Sequence, residues 1–368
     1  MFLLPSTVAI LTASVCKAAL INARQSLAGG CGSERPSAHF LQISHHLATN
    51  SSLHSSRKRA DIEVATFAHV VYANKSVEGG YLSEEIIHRN IDIINHQYAP
   101  AGISFSLKNL SYTENADWAL GKDEFAMRLK LRGGGYNDLN LYFVADIPYK
   151  SEQDWGVRGI CSLPTTRPDS LRWTLDGCSL LSRMLPGSNG TAENISNSTA
   201  THEIGHWLGL LHTFEGGCGG EGDEIGDTVA QAGPTKLCPT GDPPHSCNLP
   251  DPDMIKNFMD ISTCTRSEFT AGQIARMKDW EDIRRDVSTD KPTPWLESDE
   301  GLVKEFCDKR ALSASNSCLA ARKYCFAKGK ADGYDTLESC VDAYKAGKIT
   351  SFAWILPTPA YLQGDIAS

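Results

Sequence analysis

THEIGHWLGLLH, residues 201–212, decides how the rest of the chain is read. On a helix, His202 and His206 stand i and i+4 apart, so both imidazoles project from one face about one turn apart and can grip a single cation. Glu203 sits beside the first of them. Its carboxylate can face a water on that cation without filling a coordination position, the placement a general base needs. Gly209 permits a positive φ that a Cβ would penalise, and a turn there returns the chain so that His212 supplies a third ligand. Three protein ligands leave one position open, the pattern of a catalytic rather than a structural zinc site. A bare HExxH occurs in helices whose histidines are ordinary surface or core residues; Gly209 and His212 at fixed offsets make the zinc reading the stronger one.

Upstream, IEVATFAHVVY (Ile62–Tyr72) is β-branched, aromatic and nearly continuously apolar, which predicts a strand buried on both faces. Ser83 then caps a segment in which Ile87, Ile91, Ile94 and Tyr98 recur at helical spacing before Pro100. Further strands are predicted over Ile103–Leu107, over the alternating Leu139, Leu141, Phe143 and Ala145, and over Val157–Leu163 and Gly177–Arg183. Strands alternating with helices in this order predict an α/β layer structure. Pro186–Thr199 holds three Asn-x-Ser/Thr sequons among Gly and Ser and reads as an exposed loop. Gly216–Pro252 lacks apolar periodicity yet carries three cysteines, as an irregular disulfide-tied region does. Thr270 and Gln273 have capping-box spacing ahead of Ile274, Met277 and Ile283, which predicts a closing helix.

The 368 residues are 41% apolar and 21% charged, within ordinary globular usage. Net charge is −9 and the 35 Lys and Arg form no long run, which argues against a nucleic-acid partner. Residues 1–18 have the length and small-residue ending (Cys16, Ala18) of a signal peptide, the alternative being a buried N-terminal helix. No later stretch approaches the ~18 consecutive apolar residues of a membrane span. Sequons at Asn50, Asn74, Asn109, Asn189, Asn194 and Asn197 fit a secreted glycoprotein. Residues 19–59 end in Arg57-Lys58-Arg59 and read as a pro-segment, with a solvated basic stretch as the alternative. The catalytic domain is placed at 60–290. Pro292 and Pro294 open a linker to a small cysteine-rich C-terminal extension, 291–368.

Of twelve cysteines, Cys16 would leave with the signal peptide. The others group as Cys161 with Cys178, a quartet at 218, 238, 247 and 264, and a quartet at 307, 318, 325 and 340. Cys31 is left over. Spacing allows three pairings within the C-terminal quartet, and none is preferred.

HEIGHWLGLLH matches the metzincin signature HExxHxxGxxH. Together with HEIGHWLGLLHTFEGGC (202–218), SRMLPGS (182–188), GDEIGDT (222–228), KNFMD (256–260) and FTAGQIARM (269–277), it resembles the pappalysin family, in particular fungal secreted metalloproteases, over about residues 60–286. The resemblance implies an α/β (α+β) fold: a metzincin-like catalytic domain with a twisted, mostly parallel sheet, backing and active-site helices, and an irregular disulfide-tied lower subdomain. It implies one catalytic zinc on His202, His206 and His212, with Met259 in the Met-turn beneath it. Val157–Leu163 becomes an edge strand on the cleft, able to add a peptide through main-chain hydrogen bonds.

Asp223 and Asp227 stand where family members can hold a calcium ion, although a solvated acidic loop fits the composition equally. The family's first-to-third and second-to-fourth pattern implies Cys218–Cys247 and Cys238–Cys264, with Cys161–Cys178 joining neighbouring strands. Cys31, before Gly32 and upstream of the tribasic site, resembles a latency thiolate that would occupy the open zinc position. One departure stands out: where the family places a Tyr two residues past the Met, this chain has Ile261, which cannot donate a hydrogen bond to an oxyanion. The expected function is a secreted zinc endopeptidase acting on protein or peptide substrates. The alternative is a catalytically weak or inactive zinc-containing peptide-binding or decoy protein.

Overall fold

The structure, a computed structural model, describes residues 36–49, 60–148 and 157–287, less positions 167, 169, 189–196, 221 and 236. The signal-like residues 1–18, Cys31, the tribasic triplet at 57–59 and the cysteine-rich extension at 291–368 lie outside the described residues. In chain order the elements are α1 (Ala38–Thr49), β1 (Ile62–Tyr72), α2 (Glu84–Tyr98), β2 (Ile103–Glu114), α3 (Ala116–Ala119), α4 (Glu124–Leu131), β3 (Leu139–Val144), β4 (Gly159–Cys161), α5 (Ser170–Leu175), β5 (Cys178–Leu181), α6 (Thr199–Trp207) and α7 (Ala271–Asp286).

One five-stranded sheet runs in the order β2-β1-β3-β5-β4. Its first four strands pair in parallel, and β4 closes the edge antiparallel to β5. Parallel neighbours need a crossover between them. Helix α2 makes the one from β1 to β2: Ser83 Oγ accepts from Ile86 N at its start, and Ile87, Ile91, Ile94 and Tyr98 turn inward. They join Val64, Val70, Phe105, Leu141 and Phe143 in the main core cluster, which also takes Ile204, Trp207 and Met259 from the segments around the histidine motif.

Strand boundaries depart from the periodicity in instructive ways. β2 runs on from Leu107 to Glu114 because a register shift between Thr66 and Phe67 lets its mostly exposed second half pair with the rest of β1. The strands expected at Val157–Leu163 and Gly177–Arg183 contract to Gly159–Cys161 and Cys178–Leu181, and the chain turns into a 3-10 helix at Ser182–Met184. Helices α1, α3, α4 and α5 were not indicated by apolar spacing. α3 and α4 are short, and side-chain caps start them: Asn115 accepts from Trp118 N and Asp123 from Ala126 N.

After α6 the chain is irregular as far as α7, and disulfides tie it. Cys218–Cys247 and Cys238–Cys264 have Cα atoms 5.3 and 4.7 Å apart, while Cys161–Cys178 links directly opposed residues of β4 and β5. A region this poor in apolar side chains gains order from cross-links that restrict its unfolded ensemble. α7 opens with a full capping box between Thr270 and Gln273.

Candidate active site and metal centre

Helix α6 carries His202, Glu203 and His206, all essentially buried. It ends at Trp207, and Gly209 then takes φ +86°, the left-handed turn that brings His212 back. Gly209 is needed for a second reason, since a Cβ there would overlap the indole of Trp280 on α7. His202, His206 and His212 offer ligand atoms that all lie within 4.8 Å of one another. Among the described residues they are the one group of three or more His, Cys, Asp or Glu side chains so arranged.

Backbone carbonyls orient two of the rings. His202 Nδ1 donates to Phe258 O at 2.7 Å and His206 Nδ1 to Leu210 O at 2.8 Å. That fixes each Nδ1 as the protonated nitrogen and turns the bare Nε2 atoms toward each other, 3.2 Å apart. His212 Nε2 is buried without a hydrogen-bond partner. Burial holds all three imidazoles neutral. Burial pushes His206 down to about 4, and His202 and His212 fall well below the usual range through burial first, then the cost of protonating beside His206, then the Arg266 guanidinium. Three neutral, converging imidazoles, one with an orphaned nitrogen, fit a zinc ion and fit little else, because buried polar atoms otherwise find partners.

The surroundings position this cluster. Met259 is fully buried, and a Cβ on Gly205 would press into its sulfur, so Met259 lies directly against α6. Arg266 Nη1 donates to Phe258 O and Asp260 O, bracing the turn on both sides of Met259. β4 crosses the other side: Gly159 comes so close that a Cβ would collide with Glu203 Cγ. β4 ends the sheet order, so an edge strand passes beside the glutamate. Ile261 is half-buried, next to Asp260 and two residues beyond Met259.

Periodicity did not reveal the group that seats the end of α6. Asp176 accepts from Trp207 Nε1 at 3.1 Å and from Arg284 Nη2 at 2.9 Å, with Arg132 at 3.5 Å. Arg284 also donates to Trp207 O and lies over the Trp207 and Tyr136 rings. Burial alone would raise the Asp176 carboxyl, but Arg284 and Arg132 outweigh it and hold the group below the usual carboxylate range. A signal was present in the sequence: Gln273, Met277, Trp280 and Arg284 form the buried stripe of α7. A charge on an apolar stripe implies a buried partner.

Asp223 and Asp227 both make hydrogen bonds within the irregular region and to α7. Asp223 is buried and accepts from Thr228 Oγ1 and Ile225 N, and burial pushes its carboxyl up to about 7. Asp227 holds the start of α7 by accepting from Thr270 Oγ1 and Gly272 N. Neither joins a cluster of three metal-ligating side chains among the described residues.

Comparison with known proteins agrees with this geometry. Residues 183–282 match the sequence model of the family described as Pregnancy-associated plasma protein-A, Peptidase_M43. An extracellular metalloprotease of Colletotrichum graminicola is 41% identical over 273 residues, 72% of this chain and 93% of the relative. Extracellular metalloprotease 1 of Coccidioides posadasii is 40% identical over 257 residues, 69% of this chain and 90% of the relative. In three dimensions the chain is similar to a promirolysin mutant of Tannerella forsythia, with TM-score 0.52 and 25% identity, over 70% of this chain and 96% of that one.

Proposed function

The chain belongs to the Peptidase_M43, or pappalysin, family and is a zinc metalloprotease, and from that premise we propose that it is a secreted endopeptidase in which Glu203 moves the proton and β4 receives the peptide. The observation that carries the reading is the convergence of three buried neutral imidazoles, with His212 Nε2 lacking any other partner. His202, His206 and His212 would hold the zinc, which when bound supplies Lewis acidity toward water and the scissile carbonyl.

The chain's own residues carry the remaining steps. Glu203 takes a proton from the attacking water and passes it to the departing amine. It stands on α6 between His202 and His206, and the missing Cβ of Gly159 on β4 leaves room for its side chain. The free edge of β4 binds an extended peptide by adding a strand, with the scissile bond over Glu203.

Secretion rests on residues 1–18, the sequons, the disulfides and the relatives named extracellular. Residues 19–59 form the pro-segment, 60–290 the protease and 291–368 an extension. Cys31, outside the described residues, is the latency thiolate. Ile261 favours a second reading, a catalytically weak or inactive peptide binder, since the expected phenol is missing. Cleavage of an unstructured protein such as casein, abolished by chelation and restored by zinc, tests the first reading. No cleavage from a zinc-loaded, processed chain would leave the second.

A further inference from the structure

Helix α1 lies in the stretch whose sequence reads as removable, yet it forms part of the packed interior. Phe40 is 3% exposed and lies flat on the Trp280 indole, centroids 5.2 Å apart and planes within 4°. Leu163 and Leu211 complete that buried cluster, and Leu41, Ile43, Leu47 and Ile283 pack against it. Polar contacts fix the helix in place. Arg276 Nη2 donates both to Ser44 O of α1 and to Glu224 O, at 2.9 and 2.6 Å. His45 reaches the Glu224 carboxylate at 3.3 Å, and His39 meets Thr166 Oγ1 at 2.9 Å.

Those to Glu224 aside, these contacts fall on segments beside the three histidines. Leu211 immediately precedes His212, Leu163 and Thr166 follow β4, and the Trp280 ring is the surface against which Gly209 turns. A 12-residue helix is marginal in water by itself, so α1 owes its order to this seat. We infer that, after the chain is opened between residues 49 and 60, the fragment bearing α1 stays bound through this helix as a non-covalent subunit, clamping the His212 turn, the exit of β4 and α7 together, instead of leaving. The contacts stand whether or not the tribasic triplet is the natural processing site; only the opening of the chain rests on the proposed domain reading.

The test uses the full chain with residues 57–59 replaced by the recognition sequence of a specific added protease, which makes opening independent of natural processing. A Cys31→Ser background removes any thiolate tether to zinc. After the cut, native mass spectrometry should find the fragment bearing α1 in one-to-one complex with the remainder, zinc retained. Phe40→Ala should speed the fragment's dissociation about a hundredfold, the scale set by truncating a buried aromatic. Zinc transfer to a chromogenic chelator should then accelerate with it. Should Phe40→Ala prevent folding of the uncut chain, Ile43→Ala, at a partly buried position, gives a milder truncation with the same readouts. Prompt release of the unsubstituted fragment overturns the inference. So does a zinc transfer rate that is the same with and without the fragment.

Discussion

Gly209 and Trp280 share one place: the indole of Trp280 occupies the space where a side chain on Gly209 would stand, 71 residues earlier in the sequence and three before the third histidine. The turn that brings His212 to the metal is thereby shaped from two sides, by its own positive φ and by α7. Gly209→Ala should cost ~2–4 kcal/mol, from left-handed strain and overpacking together. For a domain of this size that lowers the melting temperature by roughly 5–10 °C. Zinc content after dialysis should drop as well; a variant with unchanged melting and full zinc would show that the turn is not under this constraint.

Glu203→Gln should keep zinc and the fold while losing about 10²–10⁴ in kcat, the usual contribution of a positioned acid–base group. A quenched peptide assay with parallel metal analysis checks it. Turnover near that of the unsubstituted enzyme at full metal occupancy would remove Glu203 from the proposed role.

Ile261→Tyr should raise kcat about tenfold or more with little change in KM, because a donor to the developing oxyanion acts only in the transition state. Steady-state kinetics on a single peptide decide it. A Tyr variant no faster than the starting enzyme would mean that another group already serves the oxyanion.

Glu281 gives the fold a pH dependence. Burial pushes its carboxyl up from 4.5 to about 7, against the pull of Arg284 and Arg285. The folded state therefore binds this proton more tightly than the unfolded chain. The group's contribution is greatest below pH 4.5 and is lost as the pH rises toward 7. Glu281→Gln removes that slope, so its stability relative to the parent should grow by ~2–3 kcal/mol between pH 4.5 and 8. Denaturant titrations at the two pH values measure the difference; an equal gap at both would contradict the assignment.

Cys31→Ser should yield a proform that cleaves peptide before any processing, as expected if the thiolate keeps the open zinc position filled. A variant that stays silent until cut would place latency elsewhere in the pro-segment.

The sequence by itself determined what depends on neighbours along the chain. His202, Glu203 and His206 needed only the pitch of a helix, and Thr270 with Gln273 only the geometry of a first turn. β1 and α2 announced themselves through apolar runs whose periods match the backbone. The third ligand was legible too, because a glycine three residues before His212 marks the reversal.

Tertiary structure alone decided which distant segments hold those local pieces in place. Asp176 meets an arginine 108 positions away, Arg276 reaches Ser44 across 232, and Phe40 finds the face of Trp280. No period in the sequence encodes such pairings. A buried charge or an aromatic face is stabilised by whatever the whole chain brings against it, and that depends on how every intervening element packs. β4 shortened and β2 lengthened for the same reason, since a strand extends only as far as its neighbour offers hydrogen bonds.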